Sequence, residues 1–192
     1  ILIAPPRPII AGPEVTAAAL NGVDFGFDAT EASFNQLIQE LNETGAVVPN
    51  LSQAARATAE LAQGYYFKRD THWTPLGAAL SAHAFADAAQ AAWPGVFEAQ
   101  TTLNLPGPDN EIYTEKGSLA AVIEETCGER PAPEHVPFIS FTGGLERGLL
   151  DDLPAGTPQV ALLGTSFSNR YKTDAYRVAE ALENALGARV DN

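Results

Sequence analysis

The chain has no methionine and a single cysteine, Cys127, among its 192 residues. One thiol excludes an internal disulfide framework and any Cys-x-x-Cys metal or redox site. No apolar run approaches the roughly 20 residues that cross a bilayer as a helix. No basic stretch followed by an apolar one opens the chain, as a secretory leader would. Positive charge is scarce: 11 Lys and Arg face 24 Asp and Glu, giving a net charge of -13 and a pI near 4.5. Such a surface repels nucleic acid and anionic lipid, so neither is an expected partner. Histidine is sparse too, three in all; a metal site needs three or four converging ligands, so neither metal nor cofactor is expected.

What is present is enough for a packed core, with 45% hydrophobic and 18% charged residues. Ile1-Leu2-Ile3-Ala4 reads as a buried strand, and Arg189–Asn192, after the helix-stopping Gly187, as the opening of another. With no initiator methionine, this reads as a chain cut from something longer, so its compartment is not legible from a missing leader.

Pro5-Pro6-Arg7-Pro8 interrupts the first strand, and residues 11–30 show no clear period. From Thr30, a suitable N-cap, Phe34, Leu37, Ile38 and Leu41 fall at helical spacing, predicting an amphipathic helix over Glu31–Glu43. Gly45 stops it, Ala46-Val47-Val48 reads as a short buried strand, and Ser52 caps a second helix over Gln53–Gln63. A third, alanine-rich helix spans Pro75–Ala92, begun by its proline and ended by Trp93-Pro94-Gly95. Residues 96–157 read as an irregular, elaborated connection over the core, with helical turns at Leu119–Glu125 and a strand at Val136–Thr142. Gln159–Leu163 is a further buried strand. A helix follows with Ala175, Val178, Ala179, Leu182 and Leu186 on one face. The alternation of strands and helices predicts an α/β fold: a mostly parallel sheet flanked by helices in three layers.

Two segments carry chemistry. In Leu163-Gly164-Thr165-Ser166-Phe167-Ser168, a strand delivers a serine-bearing turn into a helix, the place where open parallel sheets bind ligands. Backbone N–H groups there can face an oxyanion, the Ser166 N–H among them. The bland alternative is that Ser166 only caps the next helix. In Arg69-Asp70-Thr71-His72-Trp73-Thr74-Pro75, Asp70 can bend back to accept the Nδ1–H of His72, leaving Nε2 free to activate a serine hydroxyl. The bland alternative has Asp70 and Thr74 capping the helix at Pro75 and His72 as an ordinary loop residue. His83 falls on an apolar helical face and reads as a packed core histidine; His135 lies in a proline-flanked loop without an evident partner.

Asp70-Thr71-His72-Trp73-Thr74-Pro75-Leu76-Gly77-Ala78, followed far downstream by Leu163-Gly164-Thr165-Ser166-Phe167-Ser168, resembles the paired signature of the alginate O-acetyltransferases. These are the AlgJ/AlgX-type proteins, an SGNH-hydrolase-like family. Ordinary SGNH esterases carry the serine block first; here, as in this family, the order is permuted. The resemblance runs from the opening strand to the chain's end and is loose over 96–157. It implies a single SGNH-like catalytic domain over 1–192, with Ser166, His72 and Asp70 as catalytic triad. Asn169 and Arg170 become candidate substrate contacts to donor or sugar, and Arg69, Trp73 and Tyr65 candidate substrate-binding walls of the cleft, with aromatic packing alone as the alternative for Tyr65 and Trp73. Ser168 is the weaker nucleophile candidate.

The reaction so implied is O-acetyl transfer to an exopolysaccharide through an acetyl-serine, in the periplasm. An acetyl donor, a polysaccharide acceptor and protein partners of an acetylation complex are the expected partners. The net charge of -13 opposes a polyuronate unless Lys68, Arg69, Arg170 and Lys172 make the cleft locally basic. A polysaccharide acetylesterase using the same residues, and a non-catalytic polysaccharide-binding scaffold, are the competing readings.

Overall fold

In the computed structural model, which describes residues 1–97, 111–139, 158–168 and 177–191, prolines start the first helices. Pro6 stands at the N-cap of Arg7–Ala11 (α1), Pro8 lies in its first turn, and Pro13 opens Pro13–Ala19 (α2). The cluster Pro5–Pro8 thus launches a helix, because a missing N–H costs nothing in a first turn. Ile1–Ala4 forms no strand; the Ile1 ammonium donates to the Val47 carbonyl at 2.6 Å. Ala46–Val48 forms none either. The Asn42 side chain takes both backbone groups of Val48 instead, accepting from its N–H at 3.0 Å and donating to its carbonyl at 2.9 Å.

Phe27–Glu43 (α3) is the expected amphipathic helix begun a turn earlier, from Gly26, and it buries Phe34 and Ile38. The helix expected over Gln53–Gln63 is two, Leu51–Ala55 (α4) and Ala59–Tyr65 (α5). Each has its own side-chain cap, Asn50 for Ser52 N–H and Thr58 for Leu61 N–H; the second cap restarts the chain after a break. Pro75–Ala92 (α6) has the bounds read from the sequence, capped by Thr74 on the Gly77 N–H at 3.1 Å. Its small side chains Ala78, Ala79, Ala82, Ala86 and Ala89 are buried and allow close helix approach. His83 is not in the core: it is partly exposed, with Nδ1 3.4 Å from the Asp87 carboxylate.

Within 96–157, the described residues include the helix expected near Leu119–Glu125 and two short strands, the second lying just before and into the expected Val136–Thr142. Ile112–Glu115 (β1) pairs antiparallel with Glu134–Pro137 (β2), and Ala120–Cys127 (α7) lies between them in sequence. His135 faces Thr114 there, with Nδ1 3.0 Å from the threonine hydroxyl. Gln159–Ala161 (β3) pairs parallel with Arg189–Asp191 (β4), connected through Val178–Leu186 (α8). Val178, Ala181, Leu182, Ala185 and Leu186 of α8 are buried, in one core with the alanines of α6. β3 is not buried along its length: its residues alternate exposed and half-buried, and Leu163 beyond it is 92% exposed. Among the described residues, then, the sheets are two pairs of strands, not the broad parallel sheet read from the sequence. The apolar runs at Ile1–Ala4 and Ala46–Val48, which that sheet required, make no ladder. No described helix is long and apolar enough to cross a membrane.

Candidate active site

A narrow loop holds two of the three residues singled out above. Tyr66 and Trp73 pair as an antiparallel bridge, while Phe67 N–H donates to the His72 carbonyl at 3.3 Å and Thr74 N–H to that of Tyr65 at 2.9 Å. The chain between them has to curl, and the curl brings the Asp70 side chain back under His72. Asp70 is completely buried. Its Oδ1 lies 2.5 Å from His72 Nδ1 and accepts the His72 N–H at 2.9 Å. Its Oδ2 accepts the Ser118 N–H at 2.6 Å. Burial pushes this carboxyl up, but the hydrogen bonds from His72 and Ser118 outweigh burial and hold it at about 2. A carboxylate only accepts, so Nδ1 carries the imidazole proton and Nε2 presents its lone pair.

That Nε2 lies 2.8 Å from the Ser166 hydroxyl, across 94 positions of sequence. Ser166 sits exposed at the apex of a tight turn. The Thr165 carbonyl accepts both the Ser168 N–H at 3.0 Å and the Ser168 hydroxyl at 2.8 Å, and Thr165 Oγ1 accepts the Phe167 N–H at 3.3 Å. Helix α8 begins only at Val178, so Ser166 is not its cap. Thr165 supplies the hydrogen bonds within the turn, and the Ser166 hydroxyl meets His72. Among the described residues no acceptor meets the Ser166 N–H, which leaves it able to donate to an oxyanion. Gly164 is needed beneath the turn, since a Cβ there would run into the Ser168 side chain.

Trp73 is buried against Phe167, 3% exposed, and with it lines a mainly apolar cavity of about 430 Å³ on the inner side of the serine turn. Arg69 lies elsewhere, in a cleft of about 350 Å³ with Lys68, Glu134 and His135. Its N–H donates to Glu134 at 2.6 Å and its guanidinium to the Ala132 carbonyl at 2.7 Å. Tyr65 lines no cleft: it is wholly buried, with its hydroxyl 2.7 Å from Ser81 Oγ. Asn169, Arg170 and Lys172 lie outside the described residues. Among the described residues no three His, Cys, Asp or Glu side chains gather as a metal site.

Ser118 was not legible beforehand. It serves the site with a backbone N–H on Asp70 and with its hydroxyl, which accepts the Thr71 N–H at 3.2 Å. The available signal was Gly117-Ser118, a turn dipeptide directly after the polar run Thr114-Glu115-Lys116. Gly117 has φ of 84°, and a Cβ there would run into the Arg69 carbonyl, so the turn docks on the loop because it is glycine.

Residues 15–192 match the family described as the SGNH hydrolase-like domain of the acetyltransferase AlgX. The chain is 33% identical over 172 residues to the alginate biosynthesis protein AlgX of Pseudomonas aeruginosa, covering 87% of this chain and 34% of that protein. To AlgX of Pseudomonas putida it is 28% identical over 183 residues, covering 88% of this chain and 35% of the other. The chain spans about a third of the length of these relatives. Its fold is similar to the solved structure of Pseudomonas aeruginosa AlgX, with a TM-score of 0.68 at 25% identity over 98% of this chain and 42% of that one. It is also similar to the O-acetyltransferase domain of Pseudomonas putida AlgJ, with a TM-score of 0.56 at 24% identity over 83% of this chain and 51% of that one. With a match that runs over nearly its whole length, the chain belongs to the SGNH hydrolase-like domain family of the acetyltransferase AlgX.

Proposed function

We propose that the protein is an O-acetyltransferase acting on an alginate-like exopolysaccharide in the periplasm. In this reading residues 1–192 form one SGNH-like catalytic domain with permuted motif order, and Ser166, His72 and Asp70 are nucleophile, base and orienting carboxylate. The observation that carries the proposal is the 2.8 Å approach of Ser166 Oγ to His72 Nε2, with Asp70 on the far nitrogen.

The chemistry follows from that line of groups. His72 Nε2 takes the hydroxyl proton as Ser166 Oγ attacks the acetyl carbonyl of the donor. The oxyanion forms beside the turn, where the Ser166 N–H can donate to it. Collapse breaks the bond to the donor's leaving group, which receives the proton from the imidazolium, and an acetyl-serine remains. A sugar hydroxyl then gives its proton to the same nitrogen and attacks the acetyl carbonyl; collapse breaks the bond to Ser166 Oγ, which takes the proton back from the imidazolium, and the acetyl group stays on the polymer. Asp70 stays ionised throughout and stabilises the imidazolium. General-base assistance supplies about 10²–10⁴-fold in each half-reaction.

Ser166 is exposed, so water can reach the acyl-enzyme, and this favours an esterase as the second reading. A chromogenic acetyl ester tests both. Added oligosaccharide should accelerate release and emerge acetylated; acetate as sole product, at an unchanged rate, would establish the esterase instead. A binding scaffold predicts that Ser166→Ala leaves acetylation intact.

A further inference from the structure

The loop that carries Asp70 is fastened by residues near the start of the sequence. The Arg7 guanidinium, at the start of α1, donates to the Phe67 carbonyl at 2.5 Å and to the carbonyl of Asp70 itself. It lies 4.7 Å from the centre of the Tyr66 ring, and the Tyr66 hydroxyl donates to the Pro5 carbonyl at 2.5 Å. Residues 5–7 and 66–70 therefore interlock through one cation, one ring and three main-chain carbonyls. Two carbonyls that converge on a single point repel each other unless a donor sits between them. A planar guanidinium reaches both at once, which a single ammonium does less well.

From this geometry we infer that Arg7 is a positioning residue for the proposed Ser166–His72–Asp70 site, and the inference rests on that reading. The hydrogen bonds of Arg7 go to main-chain carbonyls, and its charge also acts on the Asp70 carboxylate. It fixes the two carbonyls that bracket Lys68-Arg69, and so sets where the Asp70 carboxylate stands beneath His72 Nδ1. Ser118 holds the same carboxylate from the other side. Without Arg7 the half-buried carbonyls lose their donor and the loop relaxes toward water. The carboxylate then tips away from the imidazole while Ser166 and the substrate cleft stay in place. Turnover is affected through His72, and ground-state binding is not.

The test is a double-mutant cycle in the full-length protein, read as kcat and KM for hydrolysis of a chromogenic acetyl ester, with circular dichroism to check folding. Arg7→Gln should lower kcat/KM about 10- to 100-fold with little change in KM. Arg7→Lys should recover part of the loss, and Arg7→Gln added to Asp70→Asn should cost less than about twofold further. Should Arg7→Gln not fold, the same cycle with Arg7→Lys decides, with a several-fold loss that vanishes in the Asp70→Asn background. Unchanged kinetics, a loss carried by KM alone, or full additivity with Asp70→Asn would overturn the role of Arg7 while an inactive Ser166→Ala leaves the site intact. Wild-type turnover by Ser166→Ala would overturn the site itself.

Discussion

Trp73 and Phe167 join the two halves of the site: the indole N–H donates to the Phe167 carbonyl at 2.9 Å, and the two rings meet edge-on at 5.2 Å. The Phe167 ring also packs on the imidazole of His72, centroids 4.8 Å apart. Each half contributes one chain neighbour of the hydrogen-bonded pair, Trp73 next to His72 and Phe167 next to Ser166. The distance between Ser166 Oγ and His72 Nε2 is thereby set by a contact one residue away.

Replacing Trp73 by Phe keeps an aromatic ring but removes the donor. The Phe167 carbonyl then loses its partner, at a cost of about 1 kcal/mol in urea unfolding. A larger effect is expected on kcat/KM, about 10-fold or more, because the serine turn loses its registration against His72. A drop in stability with unchanged turnover would show that the joint only packs.

Asp70 makes stability depend on pH in one direction. Its folded value, about 2, lies below that of an unfolded aspartate near 3.9. The carboxylate therefore contributes its share fully above pH 4 and loses it as pH falls toward 2. That share is about 1–2 kcal/mol. Asp70→Asn should be less stable than wild type by this amount at pH 7, with the gap closing as pH is lowered from 4 toward 2. Parallel stability curves over that range would contradict the hydrogen bonding assigned to Asp70.

Gly117→Ala tests the docking of the Ser118 turn. A methyl group at φ of 84° would press on the Arg69 carbonyl, and backbone cannot yield as a flexible side chain does. A loss of about 2–4 kcal/mol is expected, together with reduced turnover as the Ser118 N–H withdraws from Asp70.

Ser168→Ala separates the two serines of the turn. The Ser168 hydroxyl is committed to the Thr165 carbonyl and the residue is 8% exposed, so its removal should cost less than about 10-fold in kcat/KM. Ser166→Ala should cost at least about 10³-fold. The reverse ranking, measured on the same ester, would reassign the nucleophile.

Much of the site was legible because its chemistry is local. Asp-x-His is a contact that a bent loop makes by itself, and Pro75–Ala92 needed only its cap, its proline and its alanines. A strand followed by Gly-Thr-Ser announced the serine turn. What could not be read were contributions from main chain or from remote charge. Ser118 acts through its N–H, which every residue but proline carries. Arg7 lay among prolines that read as an interruption, and its acceptors are carbonyls rather than acids, so no charge pattern linked it to residue 70. The strands expected at Ile1–Ala4 and Ala46–Val48 failed for a related reason. Apolar β-branched runs propose a strand, yet a ladder needs a neighbour, and Asn42 had already satisfied Val48.

The most direct test of the account is mass spectrometry of the protein quenched during turnover of an acetyl ester. One acetyl group on the peptide containing Ser166, formed in the wild type and discharged on addition of oligosaccharide, is the predicted result, with no label in Ser166→Ala or His72→Ala. Turnover at the wild-type rate with Ser166 unlabelled, or undiminished in Ser166→Ala, would contradict it.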